Sequence, residues 1–181
     1  EFITRIYYLA KRHNFTIPYP IEIAYEYDGK DGIPNKIPNA KENRLQEMAD
    51  FLRSLPYLLS LEDTKINQLA TKAKFLSYGS NEFIVQQGLD DEGLYFIYTG
   101  KVGIETKTRQ GDNREVSSLS SGDIFGELAI FPGEVSPITA VVQQAAEIVL
   151  IPDKDVMQLI ESNAQFSLEF SQFIEQRRKA M

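Results

Sequence analysis

Residues 122–142, GDIFGELAIFPGEVSPITAVV, carry the reading that decides the fold. Positions 124–125 are strand-like, Gly126 follows, and 127–130 make a single helical turn that Pro132 and Gly133 end before a strand resumes at Thr139. A one-turn helix has mostly unpaired amides at its start, so it can hold an anion. Gly126 lets the backbone come close to a ligand. A carboxylate at Glu127 sits beside that place, ready to accept hydrogen bonds from ligand hydroxyls.

Outward from this stretch the apolar period is two. Strand-like pieces fall at 83–86, 94–98, 101–107, 115–119, 124–125, 139–142 and 147–151, with Gly79, Gly88, Gly93, Gly100, Gly111 and Gly122 between or beside them. Many short strands at nearly regular spacing predict a sandwich or barrel. Helical periodicity flanks the strands. Residues 41–54 place Leu45, Met48, Ala49 and Leu52 on one face, and Pro56 stops that helix. Ser60, with Asp63 three residues on, is the expected cap of the next helix, whose stripe is Ile66, Leu69, Ala70 and Ala73. After Pro152, Val156, Leu159 and Ile160 mark one helix. Phe166, Phe170, Phe173 and Ile174 mark another, closed by Arg177, Arg178 and Lys179, the favourable charge for a helix C-terminus. The expectation is an α+β fold: an antiparallel β-roll, or jelly roll, with helices before it and two closing helices after it.

The N-terminal part is separate in character. Phe2, Ile6, Leu9 and Ala10 fall at helical spacing, Thr16–Pro20 forces extended backbone, and Ile21, Ile23, Tyr25 and Tyr27 alternate as a half-buried strand. Helix, turn and strand over 1–27 bury too little to stand alone. Residues 28–39, DGKDGIPNKIPN, hold two Gly, two Pro and four Asp or Asn in twelve residues and read as a linker. The division expected is thus 1–27, a linker over 28–42, and a domain over 43–181. The first residue is Glu, so the expectation is either a processed start or a piece of a longer protein.

Composition excludes several functions. The 181 residues carry a net charge of −7 with no basic block, against bare electrostatic binding of nucleic acid or anionic lipid. There is no cysteine, which excludes thiolate zinc sites and cysteine nucleophiles, and one histidine, His13, so a His-rich metal centre or a Ser–His triad has almost nothing to be built from. No catalytic residue and no metal ligand is assigned, and an enzyme is not expected. No apolar run reaches the roughly 18 residues of a membrane span. Asp90, Asp91 and Glu92 read as a solvated turn.

The runs FLRSLPYLLSL, EGLYFIYTGKVGI and SSGDIFGELAIF, with the paired closing helices, resemble the cyclic nucleotide-binding domain family over about residues 43–181. The resemblance implies that 122–142 hold a phosphate-binding cassette. In it Gly126, Glu127, Leu128 and Ala129, after Phe125, offer amides to a cyclic phosphate, and Glu127 holds the ribose 2′-hydroxyl. Helix 164–178 acts as a lid. Cyclic AMP or cyclic GMP is the implied ligand, and no other cofactor is required. One position departs from the family pattern, which has Arg before a Ser/Thr–Ala pair. Here Ile138 precedes Thr139 and Ala140, and no Lys or Arg occurs between Glu115 and Asp153. A charge-assisted bond of that kind contributes about 1.5–3 kcal/mol, roughly 10- to 150-fold in affinity. Either the ligand is held weakly, or the cation comes from Arg114, Arg109 or another chain, or the pocket has lost cyclic nucleotides and the fold serves as a ligand-free structural or interaction module.

The run IYYLAKRHNFTIPYPIEIAYEY resembles the C-terminal end of the cytosolic domain of small-conductance mechanosensitive channels. Joined to the first resemblance it implies the bacterial cyclic-nucleotide-gated type. This would be a soluble fragment at the cytoplasmic face of the bacterial inner membrane, with the pore domain of the same chain as partner and a homo-oligomer in the full-length protein. A DNA-binding regulator is the other setting this fold suggests. The acidic balance and the lack of a basic recognition helix argue against it.

Overall fold

The computed structural model describes residues 2–13, 15, 40–108 and 111–180. The expected strand over 21–27 and most of the expected linker lie outside the described residues, as does Arg109. Among the described residues five α-helices and six strands follow in chain order: α1 (Phe2–Arg12), α2 (Ala40–Ser54), α3 (Asp63–Lys72), β1 (Lys74–Tyr78), β2 (Phe83–Val85), β3 (Gly93–Lys107), β4 (Asn113–Leu119), β5 (Ile124–Phe125), β6 (Thr139–Pro152), α4 (Asp153–Ser162) and α5 (Ala164–Ala180). Short 3₁₀ turns occupy Pro56–Leu58 and Glu127–Ala129.

All pairings are antiparallel, in the order β1-β6-β3-β4, with β2 also on β6 and β5 also on β3. Alternation along the two long strands builds two cores from one sheet. Leu94 and Phe96 of β3, with Val149 and Ile151 of β6, face the helices, among Leu52, Leu55, Ile66, Val156, Phe166 and Phe170. Tyr95, Ile97, Ile148 and Leu150 face the interior of the roll, with Val102, Val142 and Phe125. The fold is the α+β antiparallel roll with flanking helices that the periodicities predict.

Three details differ from the sequence reading. The pieces at 94–98 and 101–107 are one strand, and so are 139–142 and 147–151. Gly100 marks no turn: at φ +93° it sits in an irregular stretch of the β3–β6 ladder, where a Cβ would lie 2.5 Å from the Ala145 carbonyl oxygen. Ser60 does not cap α3: the N-cap is Glu62, with no side-chain cap bond. Leu45, grouped on one face of α2 with Met48, Ala49 and Leu52, is exposed while those three are buried.

α1 docks on β1 rather than standing off from the roll. Arg12 Nη1 reaches Glu82 Oε2 at 3.1 Å and its guanidinium lies 4.3 Å from the Tyr78 ring centre. Lys11 Nζ meets Glu147 Oε1 at 3.0 Å. Among the described residues no helix is long and apolar enough to cross a membrane.

Candidate functional site

β5 delivers the chain to Gly126, which turns left-handed at φ +92° and starts the 3₁₀ turn Glu127–Ala129. Packing fixes this glycine: a Cβ there would stand 2.4 Å from the Gly93 carbonyl oxygen and 2.9 Å from the Tyr95 ring. The close approach is therefore to β3 rather than to a ligand. Tyr95 and Phe125 stack in parallel, 4.9 Å between ring centres, and hold the turn from behind.

The turn forms one wall of a cavity of about 280 Å³. Of the residues singled out in the sequence, Phe125, Gly126, Glu127, Leu128, Ala129 and Ile138 line it. Thr139 and Ala140 do not. Thr139 Oγ1 is turned toward β2, where it accepts the Gln87 amide at 3.0 Å, and Ala140 is buried in the roll interior. Ser136, missed in the sequence, ties the loop at Ile138: its hydroxyl donates to the Ile138 carbonyl at 2.9 Å. That bond helps fix the backbone at Ile138, whose residue lines the cavity.

Glu127 is buried, 5% exposed. Burial pushes its carboxyl above the usual glutamate range. Its own backbone amide and the charge of Arg177 pull the other way, and Asp91 pushes it further up. Asp91 is not the freely solvated turn residue expected: burial raises its carboxyl too, while its Oδ1 accepts the Glu92 amide at 2.9 Å.

The cation at this site comes from a place the sequence reading passed over. Arg177, on α5, lines the cavity and brings Nε to 3.7 Å from Glu127 Oε1. The distance is that of an ion pair, too long for a hydrogen bond. α5 is anchored on the helical core by Phe166, Phe170 and Ile174, one step of four along the helix at a time. Phe173 lies on the neighbouring face against Tyr57, ring centres 5.0 Å apart. Arg177 is one turn beyond Phe173 and packs over its ring at 5.3 Å. The available signal was that spacing: Arg177 follows Phe173 by four and Ile174 by three, so it belongs to the inward side of the helix and not to its solvated end. Arg178 faces Glu134 of the cassette loop at 4.0 Å. Arg114, the other cation considered, is exposed on β4 and does not line the cavity.

One of the amides expected to meet an anion has an internal acceptor: Ala129 N–H donates to the Gly126 carbonyl at 3.2 Å. The site is thus a mainly apolar chamber with one buried carboxylate and one cation borrowed from the last helix.

Comparison with known proteins places this arrangement. Residues 75–163 match the family model described as cyclic nucleotide-binding domain. The cAMP-dependent protein kinase type II regulatory subunit of Drosophila melanogaster is 35% identical over 81 residues, 45% of this chain and 21% of that protein. The cAMP-activated global transcriptional regulator of Salmonella typhimurium is 32% identical over 95 residues, 52% of this chain and 45% of that protein. The regulatory domain of Toxoplasma gondii PKA, solved with cAMP, superposes with a TM-score of 0.68 at 18% identity, covering 76% of this chain and 51% of that one. The chain spans less than half the length of these curated relatives. Residues 75–163 thus match the cyclic nucleotide-binding domain, and the relatives' own names point to cyclic AMP or cyclic GMP as the candidate ligand class.

Proposed function

We propose that the chain is the ligand-sensing regulatory domain of a mechanosensitive-type ion channel, answering to a ligand of the cyclic nucleotide class that it holds weakly because Ile138 stands where the family has Arg. The observation that carries the sensing part is the contact of Arg177 with Glu127. A ligand hydroxyl and the Arg177 guanidinium want the same carboxylate. Filling the cavity therefore changes how α5 sits on the cassette, and the position of α5 changes affinity in return. The free energy passed to an attached effector equals the difference in ligand affinity between the two α5 positions and no more.

The channel setting is supported by the likeness of the N-terminal run to the cytosolic end of small-conductance mechanosensitive channels. The docking of α1 on the roll through Arg12–Glu82 and Lys11–Glu147 gives a short mechanical route from sensor to neighbour. In that setting the domain faces the cytoplasm at the bacterial inner membrane. It works on the pore domain of its own chain within a homo-oligomer, and it binds no nucleic acid.

Hydrogen exchange on the 181-residue chain tests the sensing claim. Millimolar cyclic AMP, cyclic GMP, adenosine or guanosine is expected to change protection in α5 and in the Glu127–Ala129 turn. If none of the four changes either segment, the second reading stands: a ligand-free module, favoured by the apolar Ile138 and the internally bonded Ala129 amide. Current recordings from the full-length chain, with the same ligands on the cytoplasmic side, test the channel claim.

A further inference from the structure

We propose that the cavity prefers an uncharged ribonucleoside to the corresponding 3′,5′-cyclic monophosphate, and that Ile138 sets this preference. The inference rests on the ligand-sensing reading above and narrows it to one chemical class.

Charge decides the matter. Among the described residues, Glu127 and Arg177 are the charged groups lining the cavity, and they neutralise one another. Asp91 adds a further negative charge close enough to bear on Glu127. A nucleoside brings no charge into this balance. A cyclic monophosphate brings a full negative one, next to two carboxylates and with a single guanidinium already engaged. An unpaired buried anion is strongly disfavoured in an apolar enclosure.

The polar groups present suit hydroxyls better than phosphate oxygens. Glu127 is an acceptor for vicinal ribose hydroxyls, and a hydrogen bond to a buried carboxylate is of the strong, charge-assisted kind. Phosphate oxygens need donors instead. The Ala129 amide is spent on an internal acceptor, and position 138 offers a hydrocarbon. Of the other lining residues, Ile104, Val116, Leu119 and Ile124 are apolar and accept a planar base, while Thr106 and Ser117 add neutral hydroxyls that bring no charge to match a phosphate. At about 280 Å³ the chamber is near the small end for an organic ligand, which again favours the smaller molecule.

Isothermal titration of the 181-residue chain with adenosine, guanosine and their 3′,5′-cyclic monophosphates tests this. The better nucleoside is expected to bind at least about tenfold more tightly than its cyclic monophosphate. Ile138→Arg is expected to move that ratio toward the cyclic monophosphate by about 10- to 100-fold. Ile138 is buried, so thermal unfolding of the variant is followed alongside; the wild-type ratio stands whether or not the variant folds. A wild-type chain that binds a cyclic monophosphate as tightly as its nucleoside, or more so, overturns the inference and leaves the sensing reading in place. A folded Ile138→Arg chain with an unchanged ratio overturns the role of Ile138. Binding of none of the four at millimolar concentration overturns both the preference and the sensing reading.

Discussion

Of the Arg–Glu pairs that join a helix to the roll, those of Arg12 and Arg177 are built differently. At one end Arg12 of α1 makes two contacts with Glu82, 3.1 and 3.4 Å, with both side chains mostly buried. Glu82 also accepts the Gly79 amide at 2.9 Å, and Tyr78 lies under the guanidinium. At the other end Arg177 of α5 makes one long contact with a deeply buried Glu127, while a third of its own side chain stays in water. The first carboxylate has its lone pairs taken up by well-placed donors. The second is desolvated without full compensation. The same two residue types thus give a clamp at α1 and a releasable contact at α5. The difference lies in how many further donors surround the carboxylate.

The comparison breaks most visibly at Glu82. Glu82→Ala strips Arg12 of its partner and the Gly79 amide of its acceptor. It is expected to cost about 2 kcal/mol in chemical denaturation, with α1 losing hydrogen-exchange protection. Glu127→Gln removes a carboxylate that burial disfavours, and is expected to change stability at neutral pH by less than about 1 kcal/mol. If the two variants cost the same, the distinction between clamp and releasable contact fails.

Acid sharpens the comparison because carboxylates at the two ends titrate in opposite senses. Glu127 has its folded pKa raised, so its contribution is present below the ordinary glutamate value and is lost as pH rises through the raised one. Glu147, beside α1, has a lowered pKa: burial pushes it up, and Lys11 and Arg44 together outweigh that. Its contribution is present above the ordinary value and is lost as pH falls through the lowered one. From neutral pH down to about pH 4, the stability of the wild type relative to Glu127→Gln should rise, and relative to Glu147→Gln should fall. Urea titrations of the three proteins across that range check both signs.

Smaller effects are expected at the surface of α5. Arg177→Ala should leave global stability within about 1 kcal/mol while speeding exchange in α5, because the contact it breaks is long and half-solvated. Arg178→Ala should be silent within about 0.5 kcal/mol, its 4.0 Å approach to Glu134 being exposed on both sides. A protected α5 in Arg177→Ala would show that the Phe166, Phe170 and Ile174 anchors hold the helix unaided.

Much of this molecule was legible in its residues. The period-two stretches, the one-turn helix after Gly126 and the aromatic stripe of α5 fall where the structure has them, because each is a local pattern with one good packing solution. What escaped was non-local. Thr99–Gly100 and Gln143–Ala146 look like breaks, since a ladder irregularity interrupts the alternation while the strand continues. Arg177 looks like a helix-end charge; only the tertiary fold brings the cassette under it. Gly126 suggests room for a ligand, whereas the neighbour that requires it is the Gly93 carbonyl across the ladder. Thr139 seems part of the pocket by sequence proximity, but its buried hydroxyl is turned away from the cavity to the Gln87 amide.

β6 runs from Thr139, next to the cavity-lining Ile138, to Pro152 and is shared by β1, β2 and β3 as a pairing partner. One added or deleted residue within it would shift three registers together and exchange the two cores. Change at the chamber is therefore confined to point replacements around its opening, and insertions or deletions must accumulate elsewhere along the chain. The shape of the opening is written in side chains at the edge of a rail whose length cannot change.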